Sequence, residues 1–486
     1  MATPCNRMAS GRQNLSDKGR DNLTLRERWF GDKAFYRMVI AIALPILVQN
    51  AITNFVSLLD NVMVGRLGTD PMSGVAIANQ LLFVFNLTVF GGVSGAGIFG
   101  AQYFGRKDYA GVRYTFRFKL ICGGVILAAA LALLMCMDTQ LISMFLHEGS
   151  QTGDIGATLE YARAYLHIMF WGMLPFAVSQ AYASTLRESG QAVVPMNASI
   201  IAVVVNLVFN YLLIYGKFGF PQMGVRGAAL ATVIARYVEA GAVVLWTHRH
   251  GEFCPYVYDL FKGFRIPMAL VKKIILRGMP LLINEMLWST GMTILAQSYS
   301  TRGLAAVAAY NISSTVMNLF NVAVMAVGNA IGIIVGNLLG AGKMQEARRT
   351  DTRLIVFSVL SCMVICSVMA MASPFIPLIY NTTDEVRLLA RDLILITAVF
   401  MPLHAFLHAS YFTMRSGGKT MLTFLFDSGS IWILSIPVAL VLSQFTTLPI
   451  RPLFTIVQAV DLLKATAGYL FVRNDFWLNN IVEDIL

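Results

Sequence analysis

Charged residues are scarce in this chain of 486 residues. Asp, Glu, Lys and Arg make up 13% of it, about half of the share that is usual in soluble domains. Hydrophobic residues make up 57%, and the mean hydropathy is +0.65. A soluble globular domain is therefore excluded, and the composition predicts an integral membrane protein built from many helices.

Motifs of common enzyme and ATPase classes are also missing. The sequence contains no HExxH and no GxSxG. Residues 417–420 read GGKT, like the end of a P-loop, but Thr413 stands where that motif requires its first glycine. The six cysteines have no spacing typical of a zinc site or a disulfide framework. We therefore expect no enzymatic activity and no cofactor, so that transport would be driven by an ion gradient.

Long apolar segments are abundant. A membrane span needs about 20 mostly apolar residues, and the sequence predicts twelve such spans. Every second loop is rich in Lys and Arg, which places both termini in the cytosol by the positive-inside rule. The net charge of +11 then faces anionic headgroups, and no nucleic acid partner is expected. The polar first thirty residues hold no secretory signal, and we interpret residues 1–34 as a cytosolic tail.

The two halves of the chain look alike. The segment ALPILVQNAITNFVSLLDNVMVGRLG, with Pro45 and Gly68, matches GMPLLINEMLWSTGMTILAQSYSTRG, with Pro280 and Gly303 at the same separation. Two halves with the same helix order predict a parallel repeat, as in transporters that rock two halves around a substrate. We expect an N-lobe at 35–247, a cytosolic linker at 248–272 and a C-lobe at 273–486. Glycines at spacing four on the eighth span are interpreted as packing positions.

A polar stripe runs along the first predicted span. Thr53, Ser57 and Asp60 share one helix face, and Asn54 lies on an adjacent strip. Such a face is costly against lipid and is expected to line a cavity, with Asp60 as a functional acid. The alternative is that Asp60 is a helix-end acid among the headgroups.

Further polar residues occur in other spans. Asn206 and Asn210 lie one turn apart on the fifth span, and Thr232 adds a hydroxyl on the sixth. Their oxygens suit a hard monovalent cation, whereas a carboxylate alone suffices for a proton. Both amides are also ordinary interhelical hydrogen-bonding groups. Glu285, inside the seventh span, is a second candidate for coupling.

The tenth and fourth spans carry matching polar stripes. His404, His408 and Tyr411 are predicted to face a cavity, and Gln180 does so on the fourth span. The two histidines have no third ligand in the sequence pattern, so a protonatable cavity face is preferred over a metal site. Asp461 is expected to form a structural pair with Lys464 at i+3.

Several stretches resemble multidrug and toxic compound extrusion (MATE) transporters of the bacterial type. They are LPILVQN...LLDNVMVGRLGTDPMSGVAIANQ, GAQYFGRKD, NLVFNYLLIYG...MGVRGAALAT, GMPLLINEMLWS, GNLLGAGK and VQAVDLLKATAGYL, and they span the chain from about Phe35 to the end. The resemblance implies an all-α membrane protein of twelve transmembrane helices in two pseudo-symmetric six-helix lobes. It also implies a multi-pass protein of the cytoplasmic (inner) membrane that acts as a monomer.

The resemblance further implies a site and an activity. The cation site of the family falls on Asp60, Asn206, Asn210 and Thr232, so that a sodium ion at the first three is the one metal expected. Asn210 stands where the family has an acid, which removes one negative charge. Another branch uses acids in the seventh and tenth helices. Glu285 is a match for the first, but the second falls near His404.

The predicted function is secondary antiport. Amphipathic, often cationic, organic compounds such as drugs, dyes or toxic metabolites would be exported in exchange for protons or sodium ions. The bilayer and these small molecules are the expected partners. The alternative is a flippase for a lipid-linked precursor of the same fold class.

Overall fold

The computed structural model describes residues 29–145, 154–263, 265–380 and 382–483. Within these ranges the secondary structure is helical, and they contain no β-strand. The long helices are α1 (Lys33–Gly65), α2 (Thr69–Arg106), α3 (Tyr109–Ser143), α4 (Ile155–Glu188), α5 (Val193–Tyr215), α6 (Val225–Arg249), α7 (Met268–Ser300), α8 (Leu304–Gly340), α9 (Met344–Ala372), α10 (Asp384–Ser416), α11 (Thr420–Phe445) and α12 (Ile450–Arg473). Residues 1–28 of the predicted N-terminal tail lie outside the described residues.

Among the described residues, ten of these helices are long and apolar enough to cross a membrane. The helices outside this set are α4 and α7, which have 34 and 33 residues but whose apolar stretches are less hydrophobic. The all-α membrane fold predicted from the composition is therefore confirmed. The number of spans and the side on which the termini lie stay predictions.

Side chains and glycines define several helix ends. The carboxylate of Asp108 accepts a hydrogen bond from the Gly111 backbone amide at 2.9 Å and thereby caps α3. Thr383 caps α10 in the same way. Gly216 ends α5 at φ +64°, a left-handed conformation that glycine adopts without a steric cost.

Two helices in the last third of the chain are irregular. In α11, Leu425–Gly429 and Ile431–Ser435 are π-helical. α12 consists of two parts, Ile450–Ala459 and Asp461–Arg473. In addition, α10 contains Pro402. Departures from α-helical geometry of this kind often occur at functional sites.

One compact unit, here called the C unit, comprises the described residues up to Leu47, Ala101–Lys107 and those from Lys273 onward. Within it, α8 and α10 pack along each other, and α9 and α12 pack against α10. Its buried apolar residues form two clusters, one of which includes the first half of α1. Close van der Waals packing of this kind stabilises helix bundles in lipid.

The other unit, here called the N unit, comprises Val48–Gly100 and the described part of Asp108–Lys272. Within it, α6 packs against α4 and α5, and α3 packs against α4. Its core includes Leu82, Leu166 and Met173, all of which are buried. The two units differ from the predicted lobes at the first half of α1 and at residues 101–107, because these segments pack among C-terminal helices.

Candidate functional site

Four of the predicted coupling residues lie together in the N unit. The amide nitrogen of Asn210 donates to the Asp60 carboxylate at 2.5 Å and to the Asn206 amide oxygen at 3.0 Å. The amide nitrogen of Asn206 then donates to the Thr232 hydroxyl at 3.3 Å. Both asparagines are buried, and Asp60 is half-buried. The four residues therefore form one connected polar site that joins α1, α5 and α6.

A tyrosine that the sequence pattern did not single out extends this site. Tyr165 on α4 is buried, and its hydroxyl lies near the side chains of Thr232 and Asn79. Its environment includes the charges of Asp60 and Arg236. A tyrosine in an apolar helix looks like core packing, so only the three-dimensional arrangement reveals this contact.

The chemistry of the N-unit site depends on a single acid. Asn210 presents its nitrogen to Asp60, while its own side-chain oxygen is buried without a hydrogen-bond partner among the described residues. An unsatisfied buried oxygen is costly. A cation, or a proton on Asp60 with the amide turned over, would supply the missing partner. Carboxylate, amide and hydroxyl oxygens fit a sodium ion, and the lone acid fits one proton.

Other predicted cavity residues of the N unit have different surroundings. Thr53, Asn54 and Ser57 are exposed on α1, and the Thr53 hydroxyl donates to the Gln49 backbone carbonyl at 2.9 Å. Gln180 is half-buried on α4. Their roles in a cavity stay predictions.

Glu285 belongs to the C unit, where it is half-buried on α7 near the charges of Arg415 and Asp427. The neighbouring Asn284 is buried and donates to Asp427 at 3.1 Å. Lys464 donates to the other oxygen of Asp427 at 2.9 Å. The expected pair of Asp461 with Lys464 is therefore wrong, because the lysine reaches across to α11.

Asp461 instead contacts a histidine. The Nε2 atom of His404 lies 3.1 Å from the Asp461 carboxylate, so the tenth span has a nearby acid that the sequence did not indicate. His404, His408 and Tyr411 all line one cavity, as their common helix face predicts. Among the described residues, no group of three or more His, Cys, Asp and Glu side chains is placed to hold a metal ion.

The family follows from a comparison of the sequence with family models. The model described as MatE matches residues 45–212 and 280–441, which is more than half of the chain. The chain belongs to the MatE family. The two matches begin at Pro45 and Pro280, the two prolines that the predicted repeat aligns. Members of the MatE family are transporters, so the chain is a membrane transporter and not an enzyme.

Several relatives of this MatE chain carry names that describe drug resistance. The probable multidrug resistance protein NorM of Thermotoga maritima is 26% identical over 443 residues, which cover 90% of this chain and 92% of the relative. The probable multidrug resistance protein YoeA of Bacillus subtilis is 25% identical, with 92% and 96% covered. The multidrug resistance protein MdtK of Pectobacterium atrosepticum is 24% identical, with 82% and 86% covered.

Solved structures share the fold. The outward-facing conformation of a multidrug resistance MATE family transporter of the MOP superfamily superimposes with a TM-score of 0.80 at 18% identity, covering 92% of this chain and 97% of that one. A MATE crystal structure in the bent conformation gives a TM-score of 0.81 at 18% identity, with 92% and 96% covered. At this identity the likeness concerns the fold alone.

Proposed function

We propose that this transporter exports amphipathic organic cations in exchange for protons, with Asp60 as the exchangeable acid. The relatives named for multidrug resistance support the substrate class, because they cover nearly the whole chain. The observation that carries the coupling step is the Asp60–Asn210 contact at 2.5 Å, next to a buried Asn210 oxygen without a partner among the described residues.

Proton coupling is favoured over sodium coupling by the number of acids. The site has one carboxylate, and its nearest partner is a neutral amide. One carboxylate can carry one proton without a second negative charge, whereas tight sodium binding benefits from more anionic ligands. In the state without substrate, Asp60 is protonated and therefore neutral. It releases this proton when the organic cation binds.

We base the proposed membrane topology and the two lobes on the sequence repeat. The ten apolar helices, together with α4 and α7, would make twelve spans with both termini in the cytosol, in the cytoplasmic (inner) membrane. A monomer with two lobes would alternate its access from one side to the other. Drugs, dyes and toxic metabolites with a cationic group and an apolar body are the expected cargo.

The test uses purified protein in liposomes that contain a fluorescent organic cation. Asp60→Asn fixes the neutral form of the site and should abolish export under an imposed pH gradient, while binding of the dye in detergent is retained. Asp60→Glu keeps the acid and should restore part of the rate. A sodium gradient applied without a pH gradient should not raise the rate of wild-type export above the rate without any gradient.

The matched control is Glu160→Gln, which removes an exposed carboxylate from α4 of the same unit. It should export at the wild-type rate. Export by Asp60→Asn at that rate would return Asp60 to the role of a helix-end acid. Export driven by sodium alone would replace the proton with sodium at the same site, and movement of a labelled lipid in place of the dye would favour the flippase.

A further inference from the structure

The C unit contains a cavity of about 150 Å³ between α7, α8, α10, α11 and α12. Two of these five helices are irregular where they line it, and a third contains a proline there. Asp427 lies in a π-helical turn of α11, Asp461 is the first residue of the second part of α12, and His404 follows Pro402 by two residues on α10. The helix is irregular at both acids, Asp427 and Asp461, as expected of a binding site.

The two acids of the cavity have different partners. Asp427 contacts the Lys464 ammonium at 2.9 Å and the Asn284 amide at 3.1 Å, so its charge is already compensated. Among the described residues, the ion-pair partner of Asp461 is His404 at 3.1 Å. The Asp461 side chain is 23% exposed. When His404 is neutral, the cavity therefore holds one carboxylate without a permanent cation.

Aromatic rings form another part of the cavity wall. The ring centroid of Tyr299 lies 5.1 Å from that of Tyr310 and 5.3 Å from that of Phe454, and the last two are 6.2 Å apart. Asp461 lines the same cavity as these three rings. Ring faces attract organic cations, and ammonium groups in aromatic cages are the best-known example.

We propose that this cavity binds the ammonium head group of a substrate, with Asp461 as its counter-ion and Tyr299, Tyr310 and Phe454 as its aromatic wall. This inference rests on the proposed export of organic cations, but it assigns the cargo to residues of the C unit rather than to Asp60. The apolar body of the cargo would lie along the remaining, mostly apolar, lining.

His404 gives the site a proton-dependent counter-ion. A protonated His404 compensates Asp461 at 3.1 Å and competes with the ammonium group, whereas a neutral His404 leaves the carboxylate to the ligand. Acid should therefore weaken ligand binding. The other titratable or charged groups around this pair are Tyr299, Glu285, Tyr310, His408, Tyr411, Arg415, Asp427 and Lys464.

The test is equilibrium binding of benzyltrimethylammonium to the full-length protein in detergent, measured by calorimetry. This probe keeps its charge at every pH, and neopentylbenzene is its uncharged isostere. The isostere should bind at least about tenfold more weakly. Asp461→Asn should weaken binding of the cation by about tenfold or more, and Tyr310→Leu, which keeps an apolar side chain, by about threefold or more.

The charge-matched control is Asp384→Asn, whose carboxylate is 90% exposed at the start of α10 in the same unit. It should change the affinity by less than about twofold. Wild-type affinity in both Asp461→Asn and Tyr310→Leu overturns the proposal. If Asp461→Asn does not fold, wild-type affinity in Tyr310→Leu alone overturns the proposal.

Asp60→Asn separates this proposal from the coupling proposal. It should still bind benzyltrimethylammonium, with a larger residual affinity than Asp461→Asn, even though it no longer exports. Loss of binding in Asp60→Asn with retention in Asp461→Asn would place the ligand in the N unit and overturn the present inference. Normal export by Asp60→Asn would remove the coupling proposal alone.

The role of His404 is tested by the pH dependence. Wild-type affinity for the permanent cation should fall over the range from neutral to acid pH, because only a protonated His404 competes with the ligand. His404→Gln, which keeps an amide donor for Asp461 but cannot gain a proton, should bind with the same affinity across this range. An equal fall in wild type and His404→Gln contradicts the proton-dependent counter-ion.

Discussion

Lys119 is fully buried in the N unit, and its ammonium group contacts both oxygens of Glu188, at 2.6 and 2.7 Å. Ser184 and Thr185 accept further hydrogen bonds from the same nitrogen, at 3.1 and 3.2 Å. Glycines 97 and 100 of α2 are required beside this pair, because a Cβ at either position would overlap the Glu188 carboxylate. The pair is thus enclosed by polar side chains and by glycine backbone.

Removal of one member of this pair should be strongly destabilising. Lys119→Met leaves the Glu188 carboxylate buried without its cation, which costs about 3–5 kcal/mol in comparable pairs. The double variant Lys119→Met, Glu188→Gln removes both charges and should recover much of the loss. The apparent melting temperature of the purified protein in detergent measures both effects.

An exposed pair provides the control. Lys262 and Asp259 are 2.9 Å apart in the linker, with side chains that are 84% and 51% exposed. Lys262→Met should change the melting temperature little, because water and salt screen an exposed pair. A Lys119→Met protein that melts at the wild-type temperature would mean that Glu188 takes up a proton or water at little cost.

Single residues differ in how far the sequence predicts their contacts. Asp60, Asn206, Asn210 and Thr232 meet as expected, because the family pattern relates residues that are far apart in the chain. Spacing along one helix predicted the wrong partner for Asp461, because its actual partner, His404, is 57 residues away on α10. Tyr165 was not singled out because a tyrosine in a span looks like core packing, and Asn284 was not because its partner, Asp427, lies 143 residues away.

Helix ends show how glycine permits close crossings. Gly105 near the end of α2 and Gly340 at the end of α8 face the backbone carbonyls of Asn337 and Gln102, where a Cβ would overlap the oxygen. The buried Gln102 then donates to the carbonyls of Ser416 and Asn479, at 2.9 and 3.1 Å. The end of α2 is therefore held within the C unit by backbone contacts.

A methyl group at this crossing should separate the two helices. Gly340→Ala places Cβ against the Gln102 backbone, and overpacking of this kind costs about 1–3 kcal/mol. The control is Gly332→Ala on the same helix, where the added Cβ meets only the Phe412 side chain at 3.4 Å and helix propensity improves by about 1 kcal/mol. The melting temperature in detergent should fall for Gly340→Ala only. Equal melting temperatures of the two variants would mean that the helices move apart at Gly340 without loss of stability.

At the scale of elements, long apolar helices were predictable and their irregularities were not. Runs of about 20 apolar residues mark a span whatever its internal geometry. The π-helical turns around Asp427 and the division of α12 before Asp461 leave no trace in such runs. Both arise where polar side chains need to reach partners on other helices, so they depend on tertiary contacts.

At the scale of the whole molecule, the repeat was visible in the sequence, but the packing partners were not. The family model matches the two halves separately, in agreement with the predicted repeat. The first half of α1 nevertheless packs among C-terminal helices, through residues such as Val39 and Ile46. Apolar side chains of similar size can pack against many partners, and the sequence does not specify which. The division into compact units therefore required the structure.

The proposed topology of the chain predicts which loops can be labelled from outside the cell. The linker has the basic composition of a cytosolic loop, whereas residues 216–224 carry a single lysine. Phe218 and Phe261 are 88% and 56% exposed, so a cysteine at either position is accessible.

In a background without the six native cysteines, Phe218→Cys should react with a membrane-impermeant maleimide on intact cells, and Phe261→Cys only after permeabilisation. Both should react fully in detergent, which controls for access. Labelling of Phe261→Cys on intact cells would contradict a cytosolic linker, and with it the proposed direction of export.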